Sequence, residues 1–258
     1  MLNTSARLDF ASLLAREAGR LAHSVFGTSA TSQKGRHDVV TLMDSEVERF
    51  IRKAIAECYP DDAVIGEEEG GADGDNVWLI DPIDGTANYA RGIAHYCVSI
   101  GYLEQRVPTI GVLFDPSHDR LYSAARGGGA WMNGERLQVS RCDDMGRATV
   151  ECGWSTRRTA AQYLALVSSV MEAGCAMRRA GSGALGLADV AAGRVEAYCE
   201  LHTNAWDAAA GVLLVTEAGG CVNDFFAGNG VAAGNEVIAT NAALCDTLAG
   251  VIGIPIDR

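Results

Sequence analysis

The segment Asp81-Pro82-Ile83-Asp84-Gly85-Thr86 carries the densest potential chemistry in the chain. Two carboxylates three residues apart supply hard oxygen donors suited to Mg²⁺. The N–H groups of Gly85 and Thr86 follow at once and are placed to cradle a phosphate, because glycine lets the backbone approach a ligand closely. Cation and anion would then meet on one turn. An Asx-type turn with solvated acids satisfies the same pattern. Carboxylates converging from elsewhere in the chain would separate the two readings.

The elements that must position these groups follow from the flanking pattern. Val77-Trp78-Leu79-Ile80 is a short apolar run that reads as a buried strand. Proline lacks the N–H a ladder needs and biases the residue before it towards an extended shape. The strand is therefore expected to end at Asp81, with the acids on the turn beyond. Glu67-Glu68-Glu69 follows another strand candidate, Ala63-Val64-Ile65, so a glutamate there would share the same sheet end. The acid run is equally consistent with a solvated loop.

Asp44 precedes a helix expected over 44–58, where it serves as an N-cap, a site rim or both. Asp207 opens a nearly all-apolar helix expected over 205–218. A first-turn acid is favoured by the helix dipole, and if buried it needs a partner, for which a metal is suited. Glu200 is placed beyond a strand at 195–199, facing substrate hydroxyls or water. Gly181-Ser182-Gly183 precedes a short helix and offers either a ligand-facing helix start or a tight turn. His95 and His202 belong to no His/Cys ligand pattern and read as structural.

The remaining periodicity predicts a helix over 6–26, a polar link over 27–38, and strands at 95–103, 107–114 and 119–125. With the Asn133-Gly134 hairpin signal, these imply an antiparallel sheet in the first half. A polar stretch at 140–147 marks the expected boundary between an N-terminal α+β subdomain (1–140) bearing the acidic motifs and a C-terminal α/β subdomain (141–258) completing the site. In the second half, strands near 148–153, 175–179, 195–199, 221–225 and 236–240 alternate with helices at 159–173, 183–192, 205–218 and 241–251. That alternation indicates an α/β class with layered sheets and helices.

Composition narrows the function classes. The 258 residues carry a net charge of −12, with 48% apolar and 21% charged residues, as in an ordinary globular protein. Direct nucleic-acid binding is disfavoured, because phosphate backbones require a basic surface. An acidic protein acting on an anionic substrate needs cations to mediate. No apolar run is long enough to span a bilayer, and the N-terminus lacks the basic start and apolar core of a signal peptide, so the expected location is the cytoplasm. The eight cysteines are scattered without a Cys-x-x-Cys, which argues for reduced, mostly buried thiols.

Taken together, these motifs resemble the inositol monophosphatase family of Mg²⁺-dependent, lithium-sensitive phosphatases. The resemblance rests on Trp78-Leu79-Ile80-Asp81-Pro82-Ile83-Asp84-Gly85-Thr86-Ala87-Asn88-Tyr89 and on Trp206-Asp207-Ala208-Ala209-Ala210-Gly211 continuing into Thr216-Glu217-Ala218-Gly219-Gly220. Gly66-Glu67-Glu68 and Val40-Thr41-Leu42-Met43-Asp44 match two shorter elements, although Met43 stands where a small residue is common. The resemblance implies an αβαβα sandwich, often dimeric, and two or three Mg²⁺ ions with Li⁺ as an inhibitor. It also implies residue roles. Glu67, Asp81 and the Ile83 carbonyl would hold one ion, and Asp81, Asp84 and Asp207 a second, with a weaker third near Glu67. Asp44 and Thr86 would orient the attacking water, and the Gly85 and Thr86 N–H groups would meet the phosphate. Ser182, Gly183, Glu200 and Asp207 would line the alcohol side.

The implied substrate is a small phosphate monoester. Asn88-Tyr89-Ala90-Arg91-Gly92-Ile93-Ala94-His95 looks most like the inositol monophosphatase version, with Ala94 where proline is common, and histidinol phosphate is the main alternative. Haloacid-dehalogenase-type phosphatases use Asp-x-Asp with a nucleophilic first aspartate, whereas the spacing here is Asp-x-x-Asp. A non-enzymatic alternative is a protein contact in a transcription complex, a role some bacterial relatives hold.

Overall fold

The computed structural model describes residues 2–27, 31–35 and 38–256, with side chains described for 4–27 and 42–256. Its organising element is the strand β4 (Val77–Asp84), in which every residue is buried. Successive side chains of a strand point to opposite faces. Val77 and Leu79 accordingly enter one core and Trp78 and Ile80 another. A strand covered on both faces reads as a continuous apolar run, which is why Val77–Ile80 shows no polar alternation.

Around β4 lies a seven-stranded sheet in the order β3 (Ala63–Gly66), β4, β5 (Cys97–Glu104), β6 (Val107–Asp115), β7 (Arg120–Ala125), β8 (Gly129–Met132), β9 (Glu135–Arg136). All its pairs are antiparallel except β3/β4. One face packs on α1 (Leu2–His23) and α2 (Leu42–Cys58) through Ala11, Leu14, Ala18, Val47, Ile51 and Ile55. The other packs on α5 (Gly183–Ala191) and α6 (Ala205–Glu217).

The same helix pair meets a five-stranded sheet ordered β11 (Ala176–Arg178), β10 (Thr149–Cys152), β12 (Ala197–Thr203), β14 (Asn235–Thr240), β13 (Cys221–Val222). The far face of that sheet is closed by α4 (Ala160–Glu172) and α8 (Cys245–Ile252) through Leu166, Val170, Leu248 and Ile252. Helices, sheet, helices, sheet and helices therefore alternate, which is the expected αβαβα sandwich.

The central helix layer sits unusually close to the first sheet. Gly101 and Gly111 are register partners on β5 and β6. A Cβ on Gly111 would lie 2.6 Å from the Ala210 carbonyl oxygen, and one on Gly101 would lie 2.7 Å from Ala209 Cβ. This glycine pair fixes the height of α6, and with it Asp207, above β4. Gly111→Ala is expected to destabilise the protein by about 1–3 kcal/mol, read from urea unfolding, because backbone has no rotamer with which to yield. An unchanged midpoint would mean α6 is not seated by these glycines.

Several local expectations are corrected. β4 does not stop at Asp81 but runs to Asp84, with a slip in its pairing to β5 between Asp81 and Asp84. Pro82 falls within that irregularity, where the ladder does not need its missing N–H. Asp44 is not an N-cap, since α2 begins two residues earlier and Asp44 lies in its first turn. Glu200 lies inside β12 and not beyond it. The polar link expected over 27–38 contains β1 (Thr31–Gly35), which pairs antiparallel with β2 (Asp38–Thr41) beginning at the end of the link; 28–30 and 36–37 lie outside the described residues. The last helix starts at Cys245 rather than 241, and the short helices α3 (Thr86–Tyr89) and α7 (Gly230–Ala233) were not anticipated. The Asn133-Gly134 hairpin is present, with φ of 49° and 84° as a primed turn requires. Five of the eight cysteines are buried and all are free. No described helix is long and apolar enough to cross a membrane.

Candidate metal centre and active site

Three of the sequence-selected acids converge. Glu67 beyond β3, Asp81 on β4 and Asp207 on α6 each offer a carboxylate oxygen, and these atoms lie within 4.8 Å of one another. Each is held by its own local structure. Asp81 Oδ1 accepts the Ile83 N–H at 2.9 Å, so the bulged strand turns the carboxylate across itself. Asp207 occupies the third position of α6, where Oδ2 accepts from Thr203 Oγ1 at 3.0 Å, Asn204 N at 3.2 Å and Asn204 Nδ2 at 3.3 Å. That capping arrangement ties the acid to the helix start.

Glu67 is placed by a residue the sequence reading missed. Glu48 on α2 is fully buried and accepts the N–H groups of Glu68 at 2.7 Å and Glu69 at 2.9 Å, together with Arg52 Nε at 2.7 Å. It thus shapes the acidic turn from behind. Gly66 leaves the space this carboxylate occupies, since a Cβ would lie 2.4 Å from Glu48 Oε1 and the carboxylate would have to shift. The available signal was a glutamate on the apolar face of α2 beside Val47, four residues before Arg52.

Asp84 is engaged differently. Its carboxylate sits on the N-terminus of α5, accepting Ala184 N at 2.9 Å, Gly183 N at 3.3 Å and the Ser182 hydroxyl. Ser182 is also the N-cap, accepting from Leu185 N. Gly181-Ser182-Gly183 is therefore a helix start facing an anion, and the anion is the protein's own. Gly85 has φ of 95°, and a Cβ there would lie 3.0 Å from the His95 carbonyl. The Thr86 hydroxyl lies 2.9 Å from Asp44 Oδ1 and 2.8 Å from the Ile83 carbonyl, one proton serving two acceptors. Glu200 stands on the opposite side of the α5 start, with the Tyr198 hydroxyl donating to Oε2 at 2.5 Å. His202 bonds the Ala233 carbonyl, and neither it nor His95 belongs to the carboxylate cluster.

The electrostatics are those of crowded, buried anions. Burial, then Glu67, Asp207, Asp84 and Asp44, holds the Asp81 carboxyl well above the usual carboxylate range. Burial and Asp207 push Asp84 up to about 7, against the hydrogen bonds from α5. Burial pushes Glu200 up to about 8 despite the Tyr198 hydroxyl. Like-charged acids packed this way are stabilised by a cation, and an all-carboxylate donor set fits Mg²⁺.

The sign of the pH dependence follows. Carboxyls raised to about 7 and about 8 stay protonated in the fold over a range where the unfolded chain has released its protons. The folded state then binds more protons, so stability falls as pH rises from about 4.5 to 8. In EDTA the melting temperature is expected to drop across that window, and Mg²⁺ to restore it most strongly at the alkaline end. A flat profile in EDTA would contradict the packed-acid picture.

Comparison with known proteins agrees with this geometry. Residues 3–252 match the model of the inositol monophosphatase family. The chain is 38% identical over 242 residues to the Nus factor SuhB of Escherichia coli (strain K12), covering 91% of each. It superposes on the extragenic suppressor protein suhB of Bartonella henselae with a TM-score of 0.89 at 32% identity, covering 97% of this chain and 100% of that one. The Thermotoga maritima IMPase gives 0.86 at 33% identity, covering 96% and 97%. With layers, acid cluster and sequence in agreement over nearly its whole length, the chain belongs to the inositol monophosphatase family.

Proposed function

We propose that the protein hydrolyses a small phosphate monoester, foremost myo-inositol monophosphate, to the free alcohol and inorganic phosphate. Family membership supports a Mg²⁺-dependent phosphatase. The observation that carries the reading is the convergence of Glu67, Asp81 and Asp207 within 4.8 Å, beside Asp84 on the α5 start.

In this reading Glu67, Asp81, Asp207, Asp84 and the Ile83 carbonyl hold Mg²⁺, two or three ions in all. Bound there, Mg²⁺ would supply the charge that neutralises the phosphate, acidifies a water and stabilises the leaving alkoxide. The chain's own groups do the rest. The N–H groups of Gly85 and Thr86 point the phosphate. The Thr86 hydroxyl, hydrogen-bonded to Asp44 Oδ1, orients the attacking water and passes its proton towards Asp44. Water attacks phosphorus in line, the ester P–O bond breaks, the leaving alkoxide takes a proton from solvent water to become the alcohol, and no covalent phosphoenzyme forms. Ser182, Gly183, Glu200 and Asp207 contact the alcohol. Most of the rate enhancement is positional and electrostatic.

Histidinol phosphate is the competing substrate. Comparing kcat/KM for the two esters decides between them: preference for histidinol phosphate replaces the inositol assignment, and comparable rates indicate a broad phosphatase. A homodimer is part of the same reading, and sedimentation tests it. A second role is favoured by the relatives named Nus factor SuhB: a protein contact with a transcription complex. Retention of RNA polymerase by an active-site variant as well as by the native chain supports that role, and loss of binding by both removes it.

A further inference from the structure

Tyr198 and Glu200 lie two residues apart on β12, so both side chains point to the same face, towards α5. Tyr198 is 2% exposed and Glu200 9%. The phenol has one proton and spends it on Glu200 Oε2 at 2.5 Å. Among the described residues no donor reaches Glu200 Oε1, which leaves that oxygen for a ligand.

The tyrosine is fixed by glycines from separate segments. A Cβ on Gly186, in α5, would lie 2.5 Å from the ring carbon Cδ2. A Cβ on Gly183, at the start of α5, would lie 2.9 Å from the hydroxyl. Gly153, just past β10, is closer still: its Cβ would lie 2.5 Å from the hydroxyl and 2.3 Å from Glu200 Oε2. Gly153 is itself anchored by its N–H on the Cys199 carbonyl at 2.8 Å. Gly183 is the residue whose N–H also meets Asp84. The ring thus fills a slot in which any side chain on the walls would displace it, and its oxygen ends beside Gly153 and Gly183, on Glu200.

We propose that Tyr198 is the positioning residue that locks the Glu200 carboxylate in one orientation towards the substrate's alcohol, so that hydroxyl-bearing alcohols are selected over featureless ones. The inference rests on the phosphatase reading above. It makes the Tyr198–Glu200 pair a specificity device and not a part of the phosphoryl transfer, because it acts on KM for the alcohol and leaves the metal-side groups untouched.

Tyr198→Phe keeps the ring and removes one oxygen, so the slot stays filled. Two readouts test it. The first is steady-state kinetics with Mg²⁺ on myo-inositol 1-phosphate and on phenyl phosphate, which has no hydroxyl for Glu200. The expected result is KM for the inositol ester raised about tenfold, kcat within about twofold, and phenyl phosphate kinetics unchanged, in keeping with loss of one buried side-chain hydrogen bond. The second is the Glu200 carboxyl resonance in protein labelled with ¹³C at glutamate Cδ, assigned by its absence in Glu200→Gln; its titration midpoint should move upward in Tyr198→Phe. An unmoved midpoint, or equal losses on both esters, overturns the proposal. Native protein active on phenyl phosphate and inactive on the inositol ester overturns the substrate reading instead, and the resonance still decides whether Tyr198 holds Glu200.

Discussion

Asp81→Asn is expected to lower Mg²⁺-dependent kcat/KM by roughly a thousandfold or more and to raise the melting temperature of the metal-free protein. The two effects share one cause. Burial first, and then Glu67, Asp207, Asp84 and Asp44, push the Asp81 carboxyl well above the usual range. Keeping that carboxyl in the fold is unfavourable without a cation and necessary with one. Asparagine removes the charge and retains the oxygen that accepts the Ile83 N–H at 2.9 Å, so the local backbone should survive. Thermal melts in EDTA and phosphate release in Mg²⁺ measure the pair of effects. A variant that loses activity and stability together would instead assign Asp81 a structural role, and one with near-native activity would remove it from the metal centre.

The second large effect is expected at a residue that touches no ligand. Glu48→Ala should cost about 3 kcal/mol of stability, since it strands the Glu68 and Glu69 N–H groups and takes from the partly buried Arg52 guanidinium its nearest carboxylate, leaving it the Val64 and Gly70 carbonyls and the more distant Glu69. It should also weaken Mg²⁺ binding by roughly ten- to a hundredfold, the usual scale for losing an outer support of a metal ligand. Mg²⁺ titration of the folded variant below its unfolding transition separates the two. Glu48→Gln, which keeps the side-chain shape, should recover part of the stability. Native Mg²⁺ affinity in a destabilised Glu48→Ala would show that Glu67 does not depend on the turn behind it.

What the sequence revealed and what it hid divide along physical lines. The buried strand at Val77–Ile80 was legible because apolar runs report burial on both faces, and the primed turn at Asn133-Gly134 because only a few residue types tolerate positive φ. The acids at 67, 81 and 207 were legible as strand-end and helix-start carboxylates, and the resemblance to a family assembled them. The continuation of β4 past Pro82 was not legible, since a slip in strand pairing depends on the partner strand and not on the proline. Nor was Glu48, which looks like any helical glutamate paired with an arginine four residues on. The engagement of Asp84 with the start of α5 was hidden for a similar reason, as it joins residues about a hundred positions apart. Tyr198 was read only as a strand residue, because the glycines that clamp it come from segments that sequence order does not bring together.

The most direct test of the central claim is phosphate release by the purified protein from myo-inositol 1-phosphate, measured across a Mg²⁺ titration that starts in EDTA. The expected result is no turnover in EDTA, saturable activation by Mg²⁺, and loss of that activation in Asp81→Asn. Phosphate release that is independent of Mg²⁺, or none from this ester or from histidinol phosphate at any Mg²⁺ concentration, would contradict it.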